Sequence, residues 1–293
     1  MFDEATKEYL SAVAAYRENI GRQPANVAAR NSLVYVLRFL GKHGDAVNEL
    51  KAALKFNKNN VDAHYLLGLE QRLVGNDAEA IAELYEASRA DPIFASAHFT
   101  LGNALRDNKQ DGAAIEQYQE AVSNNPNYSD AHSNLGAVLK GAGRNEAAVF
   151  EFQEAIKSNP RNSEAHYELA GLLQDIGNID EAIAEYREAL KGNKRGQTAK
   201  FRVGLANALR TAKNNDSAIK EYLEAGDELM MLGTQPEAVT IFRTVLEIDP
   251  HNATALKGIE AMAERPADPK LDAIDKPERP SFGYQSRRHR HRR

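Results

Sequence analysis

No cysteine occurs in the 293 residues, which excludes disulfides, thiolate metal sites and cysteine nucleophiles together. No apolar run approaches the roughly 18 residues needed to span a bilayer. The opening residues Met1, Phe2, Asp3 and Glu4 lack the basic start and apolar stretch of a secretory signal. These absences lead to the expectation of a cytoplasmic protein. Glycine-rich phosphate loops, serine nucleophile elbows and paired-carboxylate signatures are missing as well. No catalytic residue, cofactor or metal site is therefore expected, and the chain reads as a non-enzyme.

What the sequence does contain is a period of 34 residues. With units opening at Val27, Val61, Ala95, Ser129 and Ser163, the eighth place holds Gly68, Gly102, Gly136 and Ala170. The twentieth place holds Ala46, Ala80, Ala114, Ala148 and Ala182, followed by Leu50, Leu84, Tyr118, Phe152 or Tyr186 four residues on. Pro92, Pro126 and Pro160 close three of the units. A fixed period of this length implies stacked helical hairpins. Small residues let paired helices approach, and leucines and aromatics fill the layer between them. Glycine near the fifteenth place, as at Gly41, Gly75, Gly143 and Gly177, ends the first helix. No hairpin can bury its apolar face alone, so stability comes from stacking on neighbours.

The expected organisation is an N-terminal capping helix in 1–26, a solenoid over 27–250 forming one elongated unit, a C-terminal capping helix in 251–265 and a disordered basic tail in 266–293. Repeats fall near 27–60, 61–94, 95–128, 129–162 and 163–196, with an irregular 197–218 and a last repeat at 219–252. The loop Lys191 to Gln197 puts the next unit two residues late, and a further match opens at Ile219. The helix near Asp216 to Leu232 therefore fits two registers, either as a reset that alters the groove or as a neutral irregularity.

Segments such as AHFTLGNALRDNKQDGAAIEQYQEAVSNNP carry this pattern in register, and the chain resembles the tetratricopeptide repeat family from roughly Val27 to Pro250. The alanine-histidine-x-x-leucine-glycine openings are similar to the repeats of O-linked N-acetylglucosamine transferases, without a catalytic domain. The resemblance implies an all-α solenoid, a right-handed superhelix of antiparallel helix pairs holding a peptide in its concave groove. The fourth place, often tryptophan in the family, is here His64, His98, His132 and His166. Equivalent residues on stacked helices stand at least about 8–10 Å apart, too far to share one zinc ion, so these histidines are expected to pack in the place of the tryptophan.

The family's inner wall is lined by places two, five, six, nine, twelve and thirteen of the first helix. Place twelve reads Arg38, Arg72, Arg106, Lys140, Gln174 and Arg210, near the rings Tyr35, Tyr65, Phe99 and Tyr167 and the amides Asn31, Asn103, Asn134 and Asn207. Such a row suits an extended, acidic partner segment, because guanidinium groups grip carboxylates bidentately. The alternative is that the cations pair with neighbouring acids such as Asp107 or Asp175. Asn103 and Asn134 match the middle of the clamp with which chaperone-binding members hold a terminal carboxylate. Phe99, Glu164 and Glu168 stand where that clamp needs cations, so chaperone tails are not expected to bind.

Residues 266–293 hold eight Lys/Arg and four Asp/Glu, a net of +4, against −9 on the rest of the chain. The terminal run includes Arg287, Arg288, Arg290, Arg292 and Arg293. The expected function is a non-catalytic scaffold or adaptor binding partner proteins through its groove. Association of the tail with nucleic acid, a ribosome or an anionic membrane is the alternative.

Overall fold

Asn57, Pro92, Pro126 and Pro160 stand in the connectors between successive helix pairs, glycine turns most of the hairpins, and the small residues let the next helix lie close. The computed structural model describes residues 2–192 and 198–263, and among these the secondary structure is all-α, with no strand. Helix α1 (Phe2–Arg22) precedes five pairs: α2 (Val27–Phe39) with α3 (His43–Phe56), α4 (Val61–Leu73) with α5 (Asp77–Ala90), α6 (Ala95–Asp107) with α7 (Asp111–Asn124), α8 (Ser129–Gly141) with α9 (Asn145–Ser158), and α10 (Ser163–Asp175) with α11 (Ile179–Lys191). Then follow α12 (Ala199–Thr211), α13 (Asn215–Met231), α14 (Gln235–Ile248) and α15 (Ala253–Ala263).

These helices form two compact units, α1–α11 and α12–α15, dividing within the Lys191–Gln197 interruption. This departs from the single elongated unit expected over 27–250. Pairs in the first unit are joined by four-residue connectors, whereas α11 and α12 are separated by seven residues. That stretch also lacks the Asn-Pro closure found at Asn125-Pro126 and Asn159-Pro160.

Local chemistry sets the helix ends. Asn26, Asn60 and Asn162 accept hydrogen bonds from the amides of Ala29, Ala63 and Ala165 at 3.0, 3.0 and 3.1 Å, satisfying donors that the first turn leaves open. Place fifteen adopts the left-handed region throughout, at Gly41, Gly75, Gly143, Gly177 and Gly233, and also at Lys109 (φ 61°) and Lys213 (φ 62°). The two lysines hold a conformation that costs a residue with a Cβ about 1–2 kcal/mol.

Packing repeats with the same regularity. A Cβ on Gly68 would lie 2.6 Å from Leu84 Cγ, on Gly102 2.7 Å from Tyr118 Cδ1, and on Gly136 2.8 Å from Phe152 Cε1. The eighth place is thus small because the large residue sixteen positions later lies directly on the helix backbone. Leu84, Tyr118 and Phe152 are fully buried, each contributing on the order of 1.5–3 kcal/mol. At the start of the stack, Val13 and Ile20 of α1 join Leu33, Leu37 and Leu50 in one apolar cluster.

In the second unit one helix is engaged on both sides. Tyr222 of α13 donates its hydroxyl to Asn207 Oδ1 of α12, while a Cβ on Gly226 of α13 would meet Phe242 of α14 at 2.6 Å. Helix α13, at seventeen residues, is thus a second helix to α12 and a first helix to α14. On α15, Ala255 and Met262 are buried and Ile259 is half-buried. The expected disordered tail and its arginine run lie outside the described residues.

Candidate functional site: the first-helix face

Three cations at place twelve, Arg38, Arg72 and Lys140, are each tied to an acid on the next first helix. Arg38 Nε of α2 lies 2.6 Å from Glu70 Oε1 of α4. Arg72 Nη2 of α4 lies 2.6 Å from Asp107 Oδ2 of α6, and Arg106 Nη2 is 3.3 Å from the other oxygen of that carboxylate. Lys140 Nζ of α8 lies 2.8 Å from Glu168 Oε2 of α10. The alternative weighed from sequence, pairing with neighbouring acids, thus describes these four cations. Asp107 is one of the partners foreseen, and Glu70 and Glu168 are not. Gln174 accepts a hydrogen bond from the Tyr186 hydroxyl at 3.3 Å. In the second unit, Arg210 and Glu247 stand 3.9 Å apart at the surface.

Glu70 is the residue that the sequence reading missed. Its side chain is fully buried, and His43 Nδ1 of α3 lies 2.8 Å from its second oxygen. A carboxylate removed from water needs a charged partner; Oε2 has the His43 hydrogen bond, whereas Oε1 has the Arg38 charge beside it but no aligned hydrogen bond. A signal was present, since place ten is otherwise Val36, Ala104, Val138, Leu172 and Ala208.

Amides and rings complete the face. Asn103 Oδ1 of α6 accepts from both Asn134 Nδ2 of α8 and the Tyr118 hydroxyl of α7, each at 2.7 Å. Burial pushes the Tyr118 and Tyr186 phenols up to about 12, so both remain donors at neutral pH. Thr100 Oγ1 donates to the Tyr65 hydroxyl at 3.4 Å, and the Tyr65 ring meets Phe94 edge-on at 5.0 Å. Phe99 sits between Tyr128 at 4.8 Å and Tyr118 at 6.1 Å, and Tyr167 lies 5.7 Å from Tyr186. Asn31 Oδ1 is buried without a hydrogen-bond partner. Tyr35, Phe39 and Leu73 expose 59, 68 and 61% of their surface. Arg38, Leu69, Arg72, Leu73, Asp77 and Asp107 line a recess of about 530 Å³. The predicted residues from Asn31 to Tyr167 therefore lie in the first unit, and Asn207 and Arg210 lie in the second. The five tail arginines lie outside the described residues.

The fourth-place histidines are buried in the place expected of the tryptophan, and each also bridges the hairpin and its connector through both ring nitrogens. Each is buried, with Nδ1 facing the second helix: His64 to Glu83 at 2.6 Å, His98 to Gln117 at 2.9 Å, His132 to Glu151 at 2.7 Å and His166 to Glu185 at 2.6 Å. Each Nε2 faces a carbonyl of the preceding connector, those of Lys58, Pro92, Pro126 and Pro160, at 2.8–3.2 Å. Arg30 takes the same place, donating to Glu49 at 2.6 Å and to the Pro24 carbonyl at 3.1 and 3.2 Å. A tryptophan carries only one donor, so it could not make both bonds.

Family profiles match this architecture. One described as "TPR repeat" covers residues 35–71 and 102–143, and one described as "Tetratricopeptide repeat" covers 133–194 and 172–229, together more than half of the sequence. The chain belongs to the tetratricopeptide repeat family. No curated protein matches it. Among solved structures, this tetratricopeptide repeat chain is similar to MamA, with 28% identity over 53% of this chain and 91% of that one and a TM-score of 0.51. It shares its fold with YrrB, a TPR protein with an unusual peptide-binding site, at 19% identity, 72 and 97% coverage and a TM-score of 0.51. PilF of Pseudomonas aeruginosa has the same fold at 20% identity, 84 and 100% coverage and a TM-score of 0.59. Among the described residues no helix is long and apolar enough to cross a membrane, and no group of three or more histidine or acidic side chains could hold a metal.

Proposed function

We propose that this tetratricopeptide repeat chain is a non-catalytic adaptor that holds an extended partner segment along the first helices of its first unit. The observation that carries the reading is the recess between Arg38, Leu69, Arg72 and Leu73, with Leu73 exposed in its wall and exposed Tyr35 three residues before Arg38 on α2. Large apolar side chains gathered beside a recess mark an interaction site. Arg72 and Arg106 share the single carboxylate of Asp107, which favours a partner that brings a further carboxylate. Because the other cations have internal partners, the apolar anchors supply most of the affinity and the acid sets register. MamA and YrrB, as family relatives, support the scaffold reading.

Peptides selected from a random library on the full chain provide the test. Leu73→Asp changes an exposed side chain and leaves folding intact. It is expected to weaken a selected peptide at least about tenfold, a loss of about 1.4 kcal/mol. Unchanged affinity in both Leu73→Asp and Arg106→Gln would overturn the reading. The arginine run at Arg287–Arg293 supports a second contact, with an anionic surface such as nucleic acid. Retention on RNA that is steeply salt-dependent and lost on truncation after Arg265 is its expected signature.

A further inference from the structure

Six helix pairs place a basic residue at the fourth position of the first helix, nineteen residues before a side-chain acceptor on the second: Arg30, His64, His98, His132, His166 and Arg202, the last 2.6 Å from Glu221. In the first unit the same side chain also meets a carbonyl six residues back. The acceptors decide what the site requires. A carboxylate and a backbone carbonyl can only accept, and neutral imidazole has one N–H to give. A neutral ring at His132 would turn a lone pair toward an oxygen 2.7 Å away at Glu151 or 3.0 Å away at Pro126, in a setting that water does not relieve. Only imidazolium donates both bonds, as the guanidinium of Arg30 does permanently. His64, with Glu83 at 2.6 Å and the Lys58 carbonyl at 2.8 Å, meets the same two kinds of acceptor, whereas His98 is the internal contrast, because the Gln117 amide can donate as well as accept.

We infer that His132 and His166 are held as imidazolium clamps, so that the helix stack of the first unit tightens as pH falls and loosens as pH rises. The charged groups acting on His132 are Glu151 and Glu154 of α9, and those acting on His166 are Glu185 and Glu188 of α11. The outer acids of the two sets, Glu154 and Glu188, are paired with Lys157 and Lys191 at 3.0 and 2.5 Å. Burial opposes charge on His132, but the Glu151 hydrogen bond and the Pro126 carbonyl outweigh it, and the pKa stands above the ordinary value. At His166 the Glu185 hydrogen bond raises the pKa against a smaller effect of burial. Since the folded value lies above the unfolded one, the stabilisation is complete below the ordinary 6.5 and is lost as pH rises through the raised value. The inference is independent of the partner reading, because it concerns the connectors and second helices.

Ring nitrogen NMR of the full chain tests it without any substitution. The expected result is two protonated ring nitrogens on His132 and on His166 at neutral pH, with titration above the free-imidazole range. Thermal melting adds a second measurement, using the double variant His132→Arg, His166→Arg, which imitates Arg30 and Arg202. Between about pH 6 and about pH 8.5 the unsubstituted chain is expected to lose a few degrees more than the variant. A single-N–H signature on both rings at neutral pH would overturn the inference, and so would parallel melting curves in a folded variant.

Discussion

In the first unit, each second helix buries one large residue under one small one: Leu84 on Gly68, Tyr118 on Gly102, Phe152 on Gly136. In the second unit α13 does both jobs, giving Tyr222 to α12 and offering Gly226 to Phe242 of α14. The difference teaches that the repeat is defined by a contact between residues sixteen apart, not by a fixed division of helices into pairs. A helix whose sequence satisfies both roles lets the register restart.

The largest expected difference between the units concerns charge. Arg38 neutralises a fully buried carboxylate, whereas Arg210 faces Glu247 across 3.9 Å at the surface. Arg38→Glu should destabilise by ~3–5 kcal/mol, because it leaves Glu70 facing a like charge out of water. Arg210→Glu should cost less than ~1 kcal/mol. Urea denaturation of the two variants checks this, and similar losses would break the distinction.

Packing comes next. Gly136→Ala puts one methyl 2.8 Å from the buried Phe152 ring, which must move to accept it, and should cost ~1–2 kcal/mol. Gly226→Ala should cost ~2–3 kcal/mol, since Phe242 is also held from the other side, where a Cβ on Gly258 would stand 2.6 Å away. The order of the two urea midpoints is the readout.

The smallest effect is a gain that should be the same in both units. Lys109 and Lys213 occupy left-handed backbone that glycine fills elsewhere. Lys109→Gly and Lys213→Gly should each stabilise by ~0.5–1 kcal/mol, read from melting temperatures. Unequal gains would mean that the two turns are held differently.

The small and large places, the proline closures and the restart near α13 were legible in the sequence because each is a steric requirement repeated at fixed spacing. Lys109 and Lys213 were not legible as turn residues, because the helix-ending backbone bonds, such as Gln110 N–H to the Leu105 carbonyl and Asn214 N–H to the Leu209 carbonyl, hold them in left-handed backbone where glycine is the usual residue. The clamps were hidden for a different reason, since each histidine's acceptors lie six residues behind and nineteen ahead. The spacing of Arg30 from Glu49, and of His132 from Glu151, would have disclosed it. On the binding face, the cations were legible and their partners only in part. Asp107 could be read from adjacency, but the burial of Glu70 depends on how α4 lies on α2.

The central claim is that partners are held on the first helices of the first unit. Hydrogen exchange of the full chain, with and without a peptide selected from a random library, tests it most directly. The account predicts protection concentrated in α2, α4 and α6, around Arg38, Leu73 and Arg106. Protection confined to the second helices, or spread evenly over the chain, would contradict it.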